Sequence, residues 1–211
     1  MNFHPHEYQK IAIQRIIDHT HYGLLLDMGL GKTVSTLIAI EQLMYDQFDI
    51  KKVLLIAPKK VAESTWMQEA NKWNETSHLK IASVLGPEKD RIKALQSDSD
   101  IYVMNRENVQ WLYEYYRKKK SFPFDMLVID ESSSFKNPQA KRFKAMRKMR
   151  PFFKRVVILT GTPAPNTLMD VWAQMYLLDG GERLGKTLTE YRLRYFTPDK
   201  TNGHIVYSYR L

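Results

Sequence analysis

Two glycine-rich stretches of this sequence end in lysine followed by threonine: Gly180-Gly181-Glu182-Arg183-Leu184-Gly185-Lys186-Thr187 and Asp27-Met28-Gly29-Leu30-Gly31-Lys32-Thr33. A third stretch, Met126-Leu127-Val128-Ile129-Asp130-Glu131, runs an apolar segment into two adjacent carboxylates. Glycines ahead of Lys-Thr suit a loop whose backbone N–H groups wrap phosphates, with the lysine neutralising β/γ charge and the threonine hydroxyl on Mg²⁺. A carboxylate pair at a strand end complements such a loop. Asp130 would grip Mg²⁺ through water, and Glu131 would orient an attacking water or take its proton. Alone, Asp-Glu is equally well explained as a helix N-cap. Beside a phosphate loop it becomes functional, because two unpaired acids at a buried strand end repel and resist desolvation.

Only the first loop satisfies the strict pattern G-x-x-x-x-G-K-[ST]; in the second, Leu26 stands where the first glycine belongs. Context reverses the ranking. A phosphate loop needs a buried strand to deliver it and a helix whose free N–H groups and dipole face the anion. The residues before Gly180 are helical by period and end in Leu177-Leu178-Asp179, so the strict match reads as a glycine helix stop and a surface loop. Leu24-Leu25-Leu26 is strand-like instead, and Thr33 opens an amphipathic helix. The expected nucleotide contacts are therefore Met28, Gly29, Leu30, Gly31, Lys32 and Thr33, with Thr33 and Asp130 on the metal and Lys32, Asp130 and Glu131 as the reactive set. The competing reading is a glycine-rich strand-to-helix turn with a surface lysine.

The elements that must position these residues are short apolar runs separated by helical stretches. Leu24-Leu25-Leu26, Val53-Leu54-Leu55-Ile56, Ile81-Ala82-Ser83-Val84, Ile101-Tyr102-Val103-Met104, Met126-Leu127-Val128-Ile129 and Val156-Val157-Ile158-Leu159 are too short and too continuously apolar for half-exposed strands. They predict strands covered on both faces. Val34, Leu37, Ile38, Glu41 and Met44, and then Val61, Thr65, Trp66, Glu69 and Trp73, recur at helical spacing and predict helices with one stripe turned inward. Such alternation predicts an α/β fold with a mostly parallel sheet, helices on both faces and ligand sites beyond the strands' carboxyl ends. Leu168, Val171, Trp172, Met175 and Leu178 continue the helical spacing, after which regularity fades and the segment beyond Thr197 reads as an unfinished extension. One domain is expected, with a core to about residue 178 and an extension over 179–211.

Composition narrows the class. Lys and Arg number 32 against 23 Asp and Glu, and the formal charge of +9 favours polyanionic partners, of which nucleic acid is the simplest. The absence of cysteine excludes disulfides, thiolate metal sites and cysteine nucleophiles. Met1-Asn2-Phe3-His4-Pro5-His6 has neither a basic start nor an apolar core, and no apolar run approaches the roughly 20 residues of a membrane span. A soluble, intracellular and non-secreted protein is expected.

With these motifs in order, the sequence resembles the first RecA-like domain of superfamily 2 helicases, in the Swi/Snf-like branch of DNA-dependent ATPases. Asp27-Met28-Gly29-Leu30-Gly31-Lys32-Thr33 is similar to the branch's D-E-M-G-L-G-K-T, without the middle acid. His6-Glu7-Tyr8-Gln9 is similar to its R-x-Y-Q, which implies that Gln9 reads the adenine edge. Ala57-Pro58 with Trp66, Glu69 and Trp73 resembles the backbone-contacting segment after the second strand; Lys59 and Lys60 would face phosphates, and both tryptophans read as core rather than base-stacking. Val103-Met104-Asn105 resembles I-T-N-Y with Arg106 in place of tyrosine, and Leu159-Thr160-Gly161-Thr162-Pro163-Ala164-Pro165-Asn166 resembles L-T-G-T-P-x-x-N. In the family that last segment, here Thr160, Gly161 and Thr162, couples nucleotide state to nucleic-acid grip. The acidic motif departs from D-E-A-H: Ser132-Ser133 follow Asp130-Glu131, so both carboxylates survive and the histidine that helps wire ATP to nucleic acid does not.

The resemblance implies ATP and Mg²⁺ as cofactors and nucleic acid, in the form of duplex DNA, as partner. It also implies a second RecA-like domain, absent from these residues, that supplies arginine fingers. A finger contributes roughly 10³–10⁵ in rate, so residues 1–211 alone are expected to hydrolyse ATP poorly. The acid-free run from Lys136 to Arg155 adds Arg147 and Lys148 as further nucleic-acid candidates, against a plain solvated basic face. Two other classes stay open: a P-loop kinase or small-molecule NTPase, for which no acceptor pocket or lid is legible, and a docking module without catalysis.

Overall fold

The computed structural model describes residues 1–202 and 205–210. Six strands form one sheet: β1 (His21–Leu25), β2 (Val53–Ala57), β3 (Ile81–Ser83), β4 (Ile101–Asn105), β5 (Met126–Asp130) and β6 (Arg155–Thr160). Their order is β1-β6-β5-β2-β4-β3 and every pairing is parallel. All carboxyl ends therefore lie along one edge. Registers such as Leu25↔Thr160 and Asp130↔Leu159 align the ends of β1, β6 and β5 closely.

Alternation within each strand feeds two cores. Val53, Leu55, Val128, Val157 and Leu159 pack on α1 (Glu7–Asp18), α2 (Lys32–Glu41) and α3 (Trp66–Lys72). Leu54, Ile56, Leu127, Ile129, Val156 and Ile158 face the other way, towards α5 (Val109–Lys119), α6 (Lys141–Met149) and α7 (Asp170–Asp179). The shorter α4 (Glu88–Leu95) and α8 (Leu188–Tyr195) complete the helices. Each fully buried aliphatic side chain contributes roughly 1.5–3 kcal/mol, and it is this two-sided burial that makes the central strands continuously apolar.

The expectation of strands covered on both faces holds for β2, β4, β5 and β6 and fails for β1 and β3. These two occupy the sheet's edges; β1 begins three residues earlier than its apolar run, and its Leu25 is 52% exposed. The two helical stretches read from spacing also differ in detail. α2 runs on into a wider turn over Gln42–Asp46, and a similar turn over Val61–Thr65 precedes α3. The segment beyond Thr197 is not irregular: β7 (Thr197–Asn202) pairs antiparallel with β8 (Ile205–Arg210) as a separate hairpin. Ile205-Val206-Tyr207 carried that strand propensity, but a lone hairpin lacks the long apolar run by which the sheet strands are recognised.

One buried charge ties the sheet to α1. Arg155, at the start of β6, donates from Nη1 to the carbonyls of Ile16, Ile17 and His19 at 3.0–3.2 Å, satisfying groups that the helix end leaves open. It also pairs with Asp49, as does Lys154. The Lys154 hydrogen bond, joined by Arg155, holds the Asp49 carboxyl below the usual carboxylate range despite its partial burial. A depressed carboxyl stabilises the fold above its unfolded pKa, about 4, and that stabilisation disappears as pH falls through the lower folded value. Asp49→Asn is therefore expected to lower the melting temperature at pH 7 and to flatten the loss of stability below about pH 4. Thermal melts at stepped pH check this; parallel acid limbs in the two proteins would contradict it.

Candidate functional site

The loop after β1 turns through two glycines with positive φ, Gly29 at +79° and Gly31 at +73°, and Gly31 hands directly to Lys32, the first residue of α2. No side chain caps this helix start, so its leading N–H groups and dipole face outward over the sheet edge. Gly31 is required twice over. Its φ suits only glycine well, and a Cβ there would lie 2.3 Å from the Gln9 amide nitrogen. Gln9, 6% exposed, accepts from the His6 backbone at 2.9 Å and donates to the Leu30 carbonyl at 3.4 Å, bracing the loop from behind. Lys32 lies across its own loop, donating to the Leu26 and Asp27 carbonyls at 2.7 and 2.9 Å. Thr33 is the second residue of α2, and Met28 projects from the loop, 84% exposed.

Asp130 closes β5 two strands away, with β6 between. Burial raises its pKa; the Trp66 indole N–H, which donates to Oδ2 at 3.0 Å, opposes that rise, and the charge of Lys32 lowers it further. Glu131 adopts a left-handed backbone, φ +53°, an uncommon conformation for a non-glycine residue and one that turns the chain sharply at the strand end. Its Oε1 accepts from Ser133 at 2.6 Å and from Thr160 at 3.0 Å.

Thr160 ends β6, and its Oγ1 also accepts from the Thr162 backbone at 3.1 Å. Gly161 then passes close to the loop after β1: a Cβ there would sit 3.2 Å from the Leu26 carbonyl and 3.4 Å from Asp27 Cα. The loop after β1 and the acid pair each meet the Thr160-Gly161-Thr162 segment, at one sheet edge.

The strict glycine-lysine pattern proves to be a filled nest. α7 ends at Asp179, whose carboxylate, on a residue 6% exposed, accepts from the backbone N–H groups of Gly181, Glu182 and Arg183 at 2.9, 3.0 and 3.2 Å and from the Arg183 side chain at 3.0 Å. Lys186 donates to the Gly180 carbonyl, and Thr187 caps α8 by accepting from Glu190. The loop wraps an anion, and the anion is its own. Lys186→Ala is accordingly expected to leave nucleotide affinity unchanged, read by titration with a fluorescent ATP analogue; a drop of about tenfold, 1.4 kcal/mol, would contradict it.

The nucleic-acid candidates fall in two places. Lys59 and Asn105, from the ends of β2 and β4, line one cleft of about 340 Å³ with Glu63, Leu85, Gly86 and Asn108. Lys60 is adjacent in sequence, and Arg106 is turned onto Glu107 at 3.0 Å. Arg147 and Lys148 occupy the last turn of α6, which leads to the start of β6 and hence to the opposite edge of the sheet. There Arg147 stacks on and bonds Tyr176, and Lys148 lies over the Tyr113 ring.

Sequence reasoning left three residues without a role here. Trp66 is core, 1% exposed, as its spacing suggests, but its indole N–H also holds Asp130. Ser132 and Gln174 are buried and hydrogen-bonded to each other across 42 positions, a separation no local pattern reveals. Trp66→Phe would keep the packing and remove the donor. It is expected to reduce Mg²⁺-supported nucleotide affinity and turnover by about 10-fold, in line with loss of one hydrogen bond to a charged group, with little change in melting temperature. Unaltered nucleotide binding by the variant would refute a positioning role for the indole.

Residues 8–189 match the family model of the SNF2-related domain. The chain is 36% identical to "Putative protein p41" of Acyrthosiphon pisum secondary endosymbiont phage 1 over 92% of its own length and 43% of that protein. To the human "DNA excision repair protein ERCC-6-like" it is 32% identical, over 83% of this chain and 14% of that protein. Among solved structures, the "Sulfolobus solfataricus SWI2/SNF2 ATPase core in complex with dsDNA" superimposes with a TM-score of 0.75 at 28% identity, over 92% of this chain and 39% of the other. The chain thus spans less than half the length of these relatives. The six-stranded parallel sheet has the RecA-like arrangement of that ATPase core, and with the family model matched over most of its residues, the chain belongs to the SNF2-related domain family.

Proposed function

We propose that this chain binds ATP with Mg²⁺ as the first motor domain of a DNA-stimulated ATPase that translocates on duplex, and that it hydrolyses ATP when a second RecA-like domain closes on the site. The observation that carries this reading is the single sheet edge that bears the loop of Lys32 and the Asp130-Glu131 turn, with the Thr160-Gly161-Thr162 segment touching both. The uncapped α2 start and the backbone of Met28 to Lys32 would hold the phosphates, with the Lys32 ammonium turning from its loop carbonyls to the β/γ oxygens. Gln9 stands behind the loop, where it would report adenine binding to the phosphate grip. Thr33 and Asp130 would hold the metal. Among the described residues no group of three or more His, Cys, Asp or Glu forms a metal cage, which fits Mg²⁺ carried by one carboxylate, a hydroxyl and phosphate oxygens. When bound, the ion offsets charge on the phosphates. Glu131, on giving up its Thr160 contact, would orient the attacking water and take its proton.

The cleft between Lys59 and Asn105 is the better placed of the two basic surfaces for nucleic acid, because it shares the carboxyl edge with the nucleotide site. The solved relative in complex with double-stranded DNA favours duplex as the partner. Among the described residues no helix is long and apolar enough to cross a membrane, and an intracellular setting accords with a DNA partner. Steady-state ATPase assays of the full-length protein with and without duplex DNA test the proposal. DNA-accelerated turnover is expected; turnover indifferent to DNA would point to a small-molecule NTPase, and no turnover to a docking module. Residues 1–211 alone should turn over slower by roughly 10³ or more for want of an arginine finger.

A further inference from the structure

The acidic turn and the Thr160-Gly161-Thr162 segment are joined twice. One link, Thr160 to Glu131, occupies the carboxylate that the proposed chemistry needs. The other is buried and leaves that carboxylate alone. Ser132, with no exposed surface, donates to Gln174 Oε1 at 2.8 Å; Gln174, 2% exposed on α7, donates from Nε2 to the Pro163 carbonyl at 2.6 Å and to the Asp170 carbonyl at 2.9 Å. The amide therefore has its acceptor and its donor group engaged at once, and its three partners belong to three segments: the acidic turn, the loop after β6 and the start of α7.

Packing alone does not account for this pair. Position 174 lies between Ala173 and Leu177 on the buried side of α7, where an apolar side chain would avoid the cost of desolvating an amide. A fully bonded polar group in such a place fixes geometry. What it fixes is the separation between the turn bearing Asp130 and Glu131 and the loop whose Gly161 rests on the phosphate-loop backbone.

We propose that Gln174 is a positioning residue that, through Ser132 and the Pro163 carbonyl, locks the acidic turn to the loop after β6, so that a shift of either is carried to the other while Glu131 is released to its water. The inference rests on the ATPase reading above. In this arrangement the Ser132–Gln174 link governs how strongly DNA accelerates turnover.

The test uses full-length protein carrying Ser132→Ala, Gln174→Leu or both. Affinity for a fluorescent ATP analogue, turnover without DNA, turnover at saturating duplex and melting temperature are measured for each. The ratio of DNA-stimulated to basal turnover is expected to fall about tenfold in each single variant, within the usual range of allosteric coupling, and no further in the double, because both changes cut one link. Nucleotide affinity and basal turnover should hold. A stimulation ratio unchanged in folded variants overturns the proposal, as does a parallel fall of basal and stimulated rates, the mark of a merely structural role. Should Gln174→Leu fail to fold, Ser132→Ala decides by the same ratio. Wild-type protein that ignores DNA would overturn the proposed function and this inference together; wild-type stimulation with unaffected variants would overturn the inference alone.

Discussion

Lys32→Ala is expected to cut ATP turnover by about 10³ and to weaken nucleotide binding by about 10- to 100-fold, while the fold survives. The argument is electrostatic. Among the described residues the hydrogen bonds of Lys32 go to the Leu26 and Asp27 carbonyls of its own loop, so its truncation breaks no hydrogen bond to another element. The phosphates lose a charge-assisted donor in both ground and transition states, which is why affinity and rate should fall together. Asp130 loses at the same time the nearby positive charge that opposes its burial. Equilibrium titration with a fluorescent ATP analogue and a steady-state assay on the full-length protein give the two numbers. Wild-type affinity in the variant would show that the loop does not hold the phosphates.

Glu131→Gln should separate the two effects. The amide oxygen can still accept from Ser133 and Thr160, so the turn keeps its shape, and nucleotide affinity should stay close to wild type. Turnover should fall by about 10²–10⁴, the usual contribution of a positioned base. An affinity loss matching that of Lys32→Ala would instead place Glu131 among the binding groups. Retained turnover would remove it from the chemistry altogether. Taken as a pair, these variants also distinguish a hydrolase from a docking module, since only a hydrolase makes the Glu131 amide a trap that binds without turnover.

Much of the fold was legible because burial on two faces leaves a strong local trace. β2, β4, β5 and β6 are each read directly from four consecutive apolar residues. β1 begins three residues before the apolar run that predicts it, since an edge strand needs no unbroken apolar run, and His21 and Tyr22 pass for loop. The C-terminal hairpin leaves little trace in the sequence for a related reason: it stands apart from the sheet, and nothing periodic in 197–210 marks a partner. The two loops of the Lys-Thr type were ranked by their flanking elements, and the preference follows from strand-loop-helix physics rather than from pattern; Asp179 supplies the detail that pattern and physics alike left unseen.

Residue types and spacing by themselves determined the alternating architecture, and they nominated the sheet edge, the lysine and the two acids on which the proposed chemistry rests. These rest on short-range rules, hydrophobic period and loop chemistry, which a chain displays before it folds. Only the tertiary structure decided that Trp66 braces Asp130, that Glu131 meets Thr160, that Gln174 reaches Ser132, and that Arg147 and Lys148 lie at the far edge from Lys59 and Asn105. Each of those depends on the order in which strands pair, and strand order is set by the packing of helices against both faces of the sheet, a property that no single stretch of residues carries.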